Sequence, residues 1–338
     1  MKSFKNNIPG ILVCLAIAVP AWAFGRLVPV IGGPVTAIVA GMVIALFWSP
    51  REKCRPGVSF VSKKILQTAV VFLGFGLNLN VILSTGRQSL PIILCTISIS
   101  LVIAFVMHKW AKIDSNTSIL IGVGSSICGG SAIAAIAPVI DATDVDVAYG
   151  MSATFLFDMA MIVLFPILGR WLGLSDAAYG LWAGTAVNDT SSVVAAGYAF
   201  SEQAGDFATM VKLTRTLAII PTVLIFALIG MHVKKKEAAG DPSAVRVNMK
   251  SVFPWFILGF LAMAVLSSVG VIPAAAAAAL KKVSKFLMVT ALAAVGLNTS
   301  FAEMKKSGAA PMVHGFLISA LVVLVALAVE YFMGILPF

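Results

Sequence analysis

The sequence predicts an all-α polytopic membrane protein, and three observations predict it. Of the 338 residues, 60% are hydrophobic and 11% are charged, against roughly a quarter charged in a soluble domain. Apolar runs of about 20 residues, enough to cross a bilayer as a helix, recur from one end to the other. No long polar region interrupts them. The chain therefore reads as a single membrane unit over residues 1–338, with no separate soluble domain.

The apolar runs give about eleven spans: 8–25, 29–48, 65–83, 90–108, 117–140, 148–169, 177–200, 207–232, 252–269, 283–302 and 309–335. The first, within "MKSFKNNIPGILVCLAIAVPAWAFG", imitates a signal peptide, with Lys2, Lys5, an apolar run and Ala-Trp-Ala. It reads as an uncleaved span, because cleavage would shift the later charge pattern out of register.

The net charge of +10 is explained by where the charges fall. With the N-terminus inside, inner loops hold Lys2, Lys5, Arg51, Lys53, Arg55, Lys63, Lys64, Lys109, Lys112 and Arg170. They also hold Lys234, Lys235, Lys236, Arg246, Lys250, Lys305 and Lys306. The outer side receives Arg26, Arg87, Lys281, Lys282 and Lys285, with Asp141, Asp144, Asp146, Glu202 and Asp206. Such asymmetry is an orientation signal. It places the N-terminus in the cytoplasm and argues against a nucleic-acid surface. Loop 233–251 is the longest, and joins approximate halves 1–232 and 252–338.

An inverted repeat follows. "GLNLN" at 76–80 and "GLNTS" at 296–300 are 220 residues apart, and Pro91 and Pro311 keep that offset. A Lys pair precedes each copy, Lys63-Lys64 and Lys281-Lys282. The two copies run in opposite directions, the signature of secondary transporters with sites where the halves meet. A weaker echo aligns "GSSICGGSAIAAIAP" at 124–138 with "GTAVNDTSSVVAAGY" at 184–198. The span count makes these two parallel. Either the likeness is compositional or one segment is re-entrant.

Three polar clusters interrupt the oil. The first is Ser125, Ser126, Cys128, Gly129, Gly130 and Ser131. Each Gly costs a helix roughly 1 kcal/mol relative to Ala, so the backbone is free to unwind. Broken backbone survives at membrane depth only against protein or a wet cavity. A half-helix starting near Ser131 would present amides to an anion. Close packing of small residues is the alternative; it suits Ala132–Ala137 better than the Ser-Cys-Gly cluster.

The second cluster is Asn188, Asp189, Thr190, Ser191 and Ser192. A carboxylate in mid-span is a functional candidate, and Asp189 could carry a proton or hold Na⁺. The third is Lys212 and Arg215, three apart and so on one helix face. They lie on the order of 8–12 Å inside their span. Together they could hold a small oxyanion or balance Asp158 and Asp189. Asn78 and Asn298, from the GLN repeat, are either site amides or helix cross-links.

Enzyme chemistry lacks its parts. The four Cys form no CxxC, the three His are scattered, and no nucleotide motif is present. No metal and no cofactor is expected beyond a coupling ion, Na⁺ or H⁺.

"SSICGGSAIAAIAPVI", "AGTAVNDTSSVVAAG" and "VKLTR" with a following Pro221 resemble the YeiH-type sulfate exporter family of bacterial membrane proteins. The resemblance covers the chain from about Pro29 onward. It implies a place in the cation–proton antiporter and anion transporter superfamily, with inverted repeats, broken helices and an elevator motion. It implies export of sulfate, sulfite or a sulfonate across the bacterial inner membrane, often by a homodimer. Many relatives carry His before an acidic residue where this chain has Asn188-Asp189. Asn does not titrate, so proton coupling at that pair falls here to Asp189 alone.

The expectation is a secondary transporter of a small oxyanion, with Asp158 or Asp189 as the coupling group. A cation–proton antiporter is the alternative. A sensor without transport is disfavoured, because the chain has no soluble output module.

Overall fold

In a computed structural model the chain is helical, with no strand among its described residues, 6–27, 32–48, 53–76, 79–111, 113–237, 255–298 and 308–336. Helices α1 (Ile8–Leu27) and α2 (Gly32–Phe47) come first. Next, α3 (Arg55–Phe60), a π-helical turn at Val61–Ile65, α4 (Leu66–Leu73) and a 3₁₀ turn at Gly74–Gly76 follow one another directly. Then come α5 (Leu79–Ala111), α6 (Ser115–Ser126), α7 (Gly130–Ile136) and α8 (Asp144–Trp171). After them stand α9 (Asp176–Ala186), α10 (Thr190–Phe200), α11 (Glu202–Thr216) and α12 (Ile219–Glu237). The last are α13 (Trp255–Ser268), α14 (Ala274–Leu297) and α15 (Ala309–Phe332).

Five stretches among the described residues are long and apolar enough to cross a membrane: Ile8–Gly25, Leu79–Trp110, Val145–Trp171, Glu202–Ile229 and Ala309–Phe332. Polar caps set the inner helices going. Asp114 accepts from the amides of Asn116 and Thr117, Ser175 from Ala178, and Ser201 from Ala204. Thr143 and Asp146 form a reciprocal capping box at the start of α8. These side chains satisfy amides that a helix start leaves open.

Two of the expected spans, 117–140 and 177–200, do not cross the bundle. Helix α6 rises beside α8: the Thr117 hydroxyl donates to Asp146 at 2.7 Å, Leu120 lies at Gly150, and Gly124 lies at Thr154. After the break, Ile133 of α7 packs back against both Gly124 and Gly150. The pair is a hairpin that enters from the Asp146 end and returns to it.

Helices α9 and α10 do the same from the other end. Tyr179 of α9 donates to the Ala196 carbonyl of α10 at 2.9 Å and stacks on Phe200, centroids 4.0 Å apart. Ser201 donates to Asp176 at 2.6 Å, which closes the mouth of this hairpin. Arg170, at the end of α8, donates to the Ala199 carbonyl at 2.9 Å. The weak echo between 124–138 and 184–198 is thus a pair of oppositely directed hairpins: of the two alternatives left open by the sequence, the re-entrant one holds, and for both segments. The charges move accordingly. Lys109, at the end of α5, lies at the Asp146 end, opposite Arg170, where the span count had put the two cations on one side.

The helices pack in two groups that interleave in sequence. In the first, α14 lies against α1, α2 and α4, and α13 lies against α4. In the second, α8, α11 and α15 run beside the two hairpins, with α5 across them. An apolar layer including Ile38, Leu73, Met210, Leu213, Phe260 and Met288 joins the groups. At one end of that seam Lys281 of α14 meets Asp206 of α11 at 2.5 Å, and Lys285 pairs with Glu202. From there α14 runs to the opposite end, where Asn298 donates to Ser62 at 3.0 Å. Residues 238–251 of the expected linking loop, and Asn78, lie outside the described residues.

Candidate functional site

The tips of the two hairpins touch. In the first, Ile127 to Gly129 interrupt the helix, and Gly129 takes φ +64°, ψ −131°. That conformation strains any residue with a Cβ. A Cβ at Gly129 would also come within 3.2 Å of Asp189 Cβ, a tight approach that adds to the strain. In the second, Val187 and Asp189 are extended, with ψ of 136° and 145°. Asp189 then caps α10, accepting from the Ser191 amide at 2.8 Å and from the Ser191 hydroxyl. Asp is a preferred cap, so "NDTSS" restarts the helix by its own chemistry.

Helix α11 crosses behind both tips and supplies their missing donors. Lys212 Nζ donates to the carbonyls of Ile127 at 2.7 Å and Val187 at 2.9 Å. Arg215 Nη2 donates to the Ser125 carbonyl at 2.6 Å, Nε to Ser126 at 2.6 Å and Nη1 to Val187 at 3.2 Å. Both cations are 0% exposed. They therefore sit on the C-terminal ends of α6 and α9, where helix carbonyls lack partners and the dipole is negative.

Helix α8 supplies the opposite charge. Asp158 accepts from the amides of Asn188 at 2.9 Å and Asp189 at 3.1 Å, just ahead of α10. Among the described residues no carboxylate pairs directly with Lys212 or Arg215. Two cations and two carboxylates (Lys212, Arg215, Asp158 and Asp189) are held close together through the backbone of the breaks. Their formal charges sum to zero.

Helix α15 adds a member that the sequence reading did not name. Asn188 Nδ2 donates to Ser319 Oγ at 3.0 Å, and Ser319 lies 3.3 Å from Ser125 Oγ. Ser319 therefore bridges the two hairpins. Asn188 Oδ1 and Ser192 Oγ are buried without a partner.

Of the residues singled out from sequence, Ser125, Ser126, Cys128, Asn188, Ser191 and Ser192 are buried at the tips. Gly130, Asp189 and Thr190 are half-buried and Ser131 is exposed, so the accessible side of the crossover is theirs. Asn298 is exposed, where α14 ends beside Ser62, and is not brought to the tips. Among the described residues no three His, Cys, Asp or Glu side chains gather as a metal site. His314 and Glu330, on the same helix as Ser319, were also read past. The available signal was an ionisable residue within an apolar span.

Known proteins place the chain among relatives of the same size. Residues 9–315 match the family model described as Conserved hypothetical protein 698. A UPF0324 membrane protein of Clostridium tetani is 46% identical, covering 99% of each chain. Similar are a UPF0324 membrane protein of Streptococcus pyogenes, 46% identical over 99% of this chain and 100% of the relative, and one of Streptococcus mutans, 46% identical over 98% of each. No solved structure matches.

Proposed function

The chain belongs to the UPF0324 membrane protein family, and from that premise we propose that it is a secondary transporter of a small oxyanion, such as sulfate, sulfite or a sulfonate. One observation carries this reading. Two helices break at the same place inside an apolar bundle, from opposite ends, and four ionisable side chains converge on the breaks. Discontinuous helices of this kind supply binding groups at mid-membrane depth in transporters, and broken backbone persists there only around a cavity or protein.

The zero sum of charge at the crossover supports coupling. An anion that binds between Gly130, Ser131, Asp189 and Thr190 leaves the buried site negative unless a cation comes with it. Protonation of Asp189, or Na⁺ beside it, restores the balance. Uncompensated charge inside low-dielectric surroundings costs several kcal/mol, so the two ions travel together.

The apolar seam between the helix groups suits an elevator motion, with the hairpin group sliding against α2, α4, α13 and α14. Lys53, Arg55, Lys63, Lys64 and Lys109 lie at the Asp146 end, which on the positive-inside rule faces the cytoplasm of a bacterial inner membrane.

Reconstituted in liposomes, the protein is expected to exchange labelled sulfite or sulfate. The Asp189→Asn variant is expected to retain exchange and lose its dependence on an imposed pH or Na⁺ gradient. The alternative, a cation–proton antiporter, draws on the unpartnered Asn188 Oδ1 and Ser192 Oγ beside Asp189. Sodium- or pH-driven flux without any anion would favour it and overturn the oxyanion reading.

A further inference from the structure

Two buried ionisable side chains on α15 take no part in holding the crossover. His314 and Glu330 are each 0% exposed, and neither ring nitrogen nor carboxyl oxygen has a hydrogen-bond partner. They share the buried stripe of α15, and Ser319 lies between them. Residues 314 and 330 are sixteen positions apart on this helix, about 24 Å at 1.5 Å per residue. That is most of a hydrocarbon core about 30 Å thick. Ser319 is the residue that touches Asn188 and Ser125. One helix thus carries an imidazole, a hydroxyl at the crossover and a carboxyl group in series.

The longer gap, from Ser319 to Glu330, is flanked by α5. This helix runs antiparallel to α15, with Ala104 beside Ile318 and Val322, and Ile92 in one cluster with Ala326. Along its length α5 buries Ser89, Thr96 and Ser100 at 0% exposure. Their hydroxyls donate to the carbonyls of Gly86, Ile93 and Gly122, which leaves each oxygen free to accept.

The other charged and titratable groups on helices packed against α15 are engaged elsewhere or, like Arg87 and Cys95 of α5 and the half-buried Tyr149 of α8, have no bond to His314 or Glu330. On α5, His108 binds the Ile113 carbonyl, Lys109 lies over Phe105, and Arg87 is exposed. Asp114 caps α6 and Asp146 completes the α8 capping box. Asp158 holds the second tip, Arg170 binds Ala199, Tyr179 binds Ala196, and Asp176 accepts from Ser201. None of them pairs with His314 or Glu330.

We propose that the seam between α15 and α5 carries protons to and from the crossover, with His314 and Glu330 as its two proton-holding stations. Glu330, met by no cation and no donor, is placed to hold and pass on a proton rather than to form an ion pair. The proton leaves the Glu330 carboxyl oxygen, each hydroxyl in turn accepts a proton on its oxygen and gives up its own, and the last O–H forms on a carboxylate oxygen of Asp158 or Asp189. Glu330, left as a carboxylate, takes a proton back from its own side of the membrane. On the opposite side His314 takes a proton on its unprotonated ring nitrogen and gives one up again, returning to the neutral imidazole. The proposal rests on the transport reading of the crossover, and names H⁺ as its coupling ion.

The test uses full-length protein in liposomes loaded with a pH-sensitive dye. Parent protein should couple labelled sulfite uptake to an acid gradient. Glu330→Gln and His314→Asn should keep gradient-free sulfite exchange, while acid-driven accumulation and dye response fall about 10²-fold, the low end for a positioned proton-transfer group. Parent-level acid-driven accumulation in both variants overturns the proposal, and so does loss of exchange and accumulation in equal measure. If the parent moves no sulfite, the transport reading fails on its own. The seam is then judged by infrared spectroscopy of the protein in nanodiscs. A protonated buried carboxyl band should be present in the parent, bleach on alkalinisation, remain in Glu202→Gln and disappear in Glu330→Gln. A parent without that band, or with one insensitive to pH, overturns the proposal.

Discussion

In the group built from α1, α2, α3, α4, α13 and α14, helices meet backbone to backbone. A Cβ at Gly41 of α2 would lie 2.5 Å from the Ala293 carbonyl and 3.0 Å from Gly296 Cα. A Cβ at Gly10 of α1 would lie 2.6 Å from Gly57 Cα. No charged side chain is fully buried there among the described residues. In the hairpin group the buried set includes Asp158, Lys212, Arg215, His314 and Glu330. Lipid tails are as apolar as Leu, so burial alone does not drive helices together in a membrane. One group answers with close contact, the other with hydrogen bonds to broken backbone. Contact of the first kind is passive and resists sliding. Charge of the second kind is costly to bury, and ionisable residues inside a membrane mark candidate functional sites.

The largest effect is expected where charge holds the breaks. Arg215→Ala strands the carbonyls of Ser125 and Ser126, each worth about 1–3 kcal/mol when left buried and unpaired, and leaves Val187 to Lys212 alone. The variant should fail to give monodisperse protein in detergent, or melt far below the parent, and Arg215→Lys should recover part of the loss. Parent-like melting of Arg215→Ala would mean that the tips stand without α11.

A smaller effect tests the contact group. Gly41→Ala forces α2 away from α14 and should lower stability by about 1–3 kcal/mol, as overpacking does. Apparent sulfite affinity should not change, because no residue of the crossover moves. An altered affinity at unchanged melting temperature would erase the distinction between the groups.

The smallest effect belongs to the ion pairs that join them. The Lys281 side chain is 25% exposed, and such pairs contribute about 0–1 kcal/mol. Lys281→Gln should melt within that margin of the parent while raising the rate of sulfite exchange. A slower rate would show that the contact guides the groups rather than holding them.

Much of the site was legible because its anomalies are chemical. Gly129-Gly130 announces a break, and Asn188-Asp189 supplies the cap that restarts a helix. Lys212 and Arg215 stood out as cations with no surface nearby. The direction of the chain after each break was not legible. Segment 117–140 is long enough to span, and hydropathy does not record a turn at its middle. Helix α6 has 12 residues and α7 has 7, about 18 and 10 Å, each well short of a bilayer. Only contacts such as Ile133 with Gly124 and Tyr179 with Ala196 reveal the return. The cations also have an unexpected partner. Charge balance suggested carboxylates, but orphaned carbonyls at two helix ends took their place. His314 and Glu330 were passed over as single polar residues in a long apolar run, where the residues around them gave no second cue.

The donors that complete the first hairpin arrive late in synthesis. Lys212 lies 85 residues beyond Ile127, and Arg215 lies 90 beyond Ser125. Ser319 follows Ser125 by 194 residues. A nascent chain that has inserted α6 and α7 therefore holds an open tip, with bare carbonyls in lipid, until α11 emerges. It lacks its bridge to the second hairpin until α15 does. Contacts this distant in sequence form slowly and leave intermediates exposed. An unfinished crossover is polar where a finished one is sealed, and α15, made after both hairpins, is the helix that closes it.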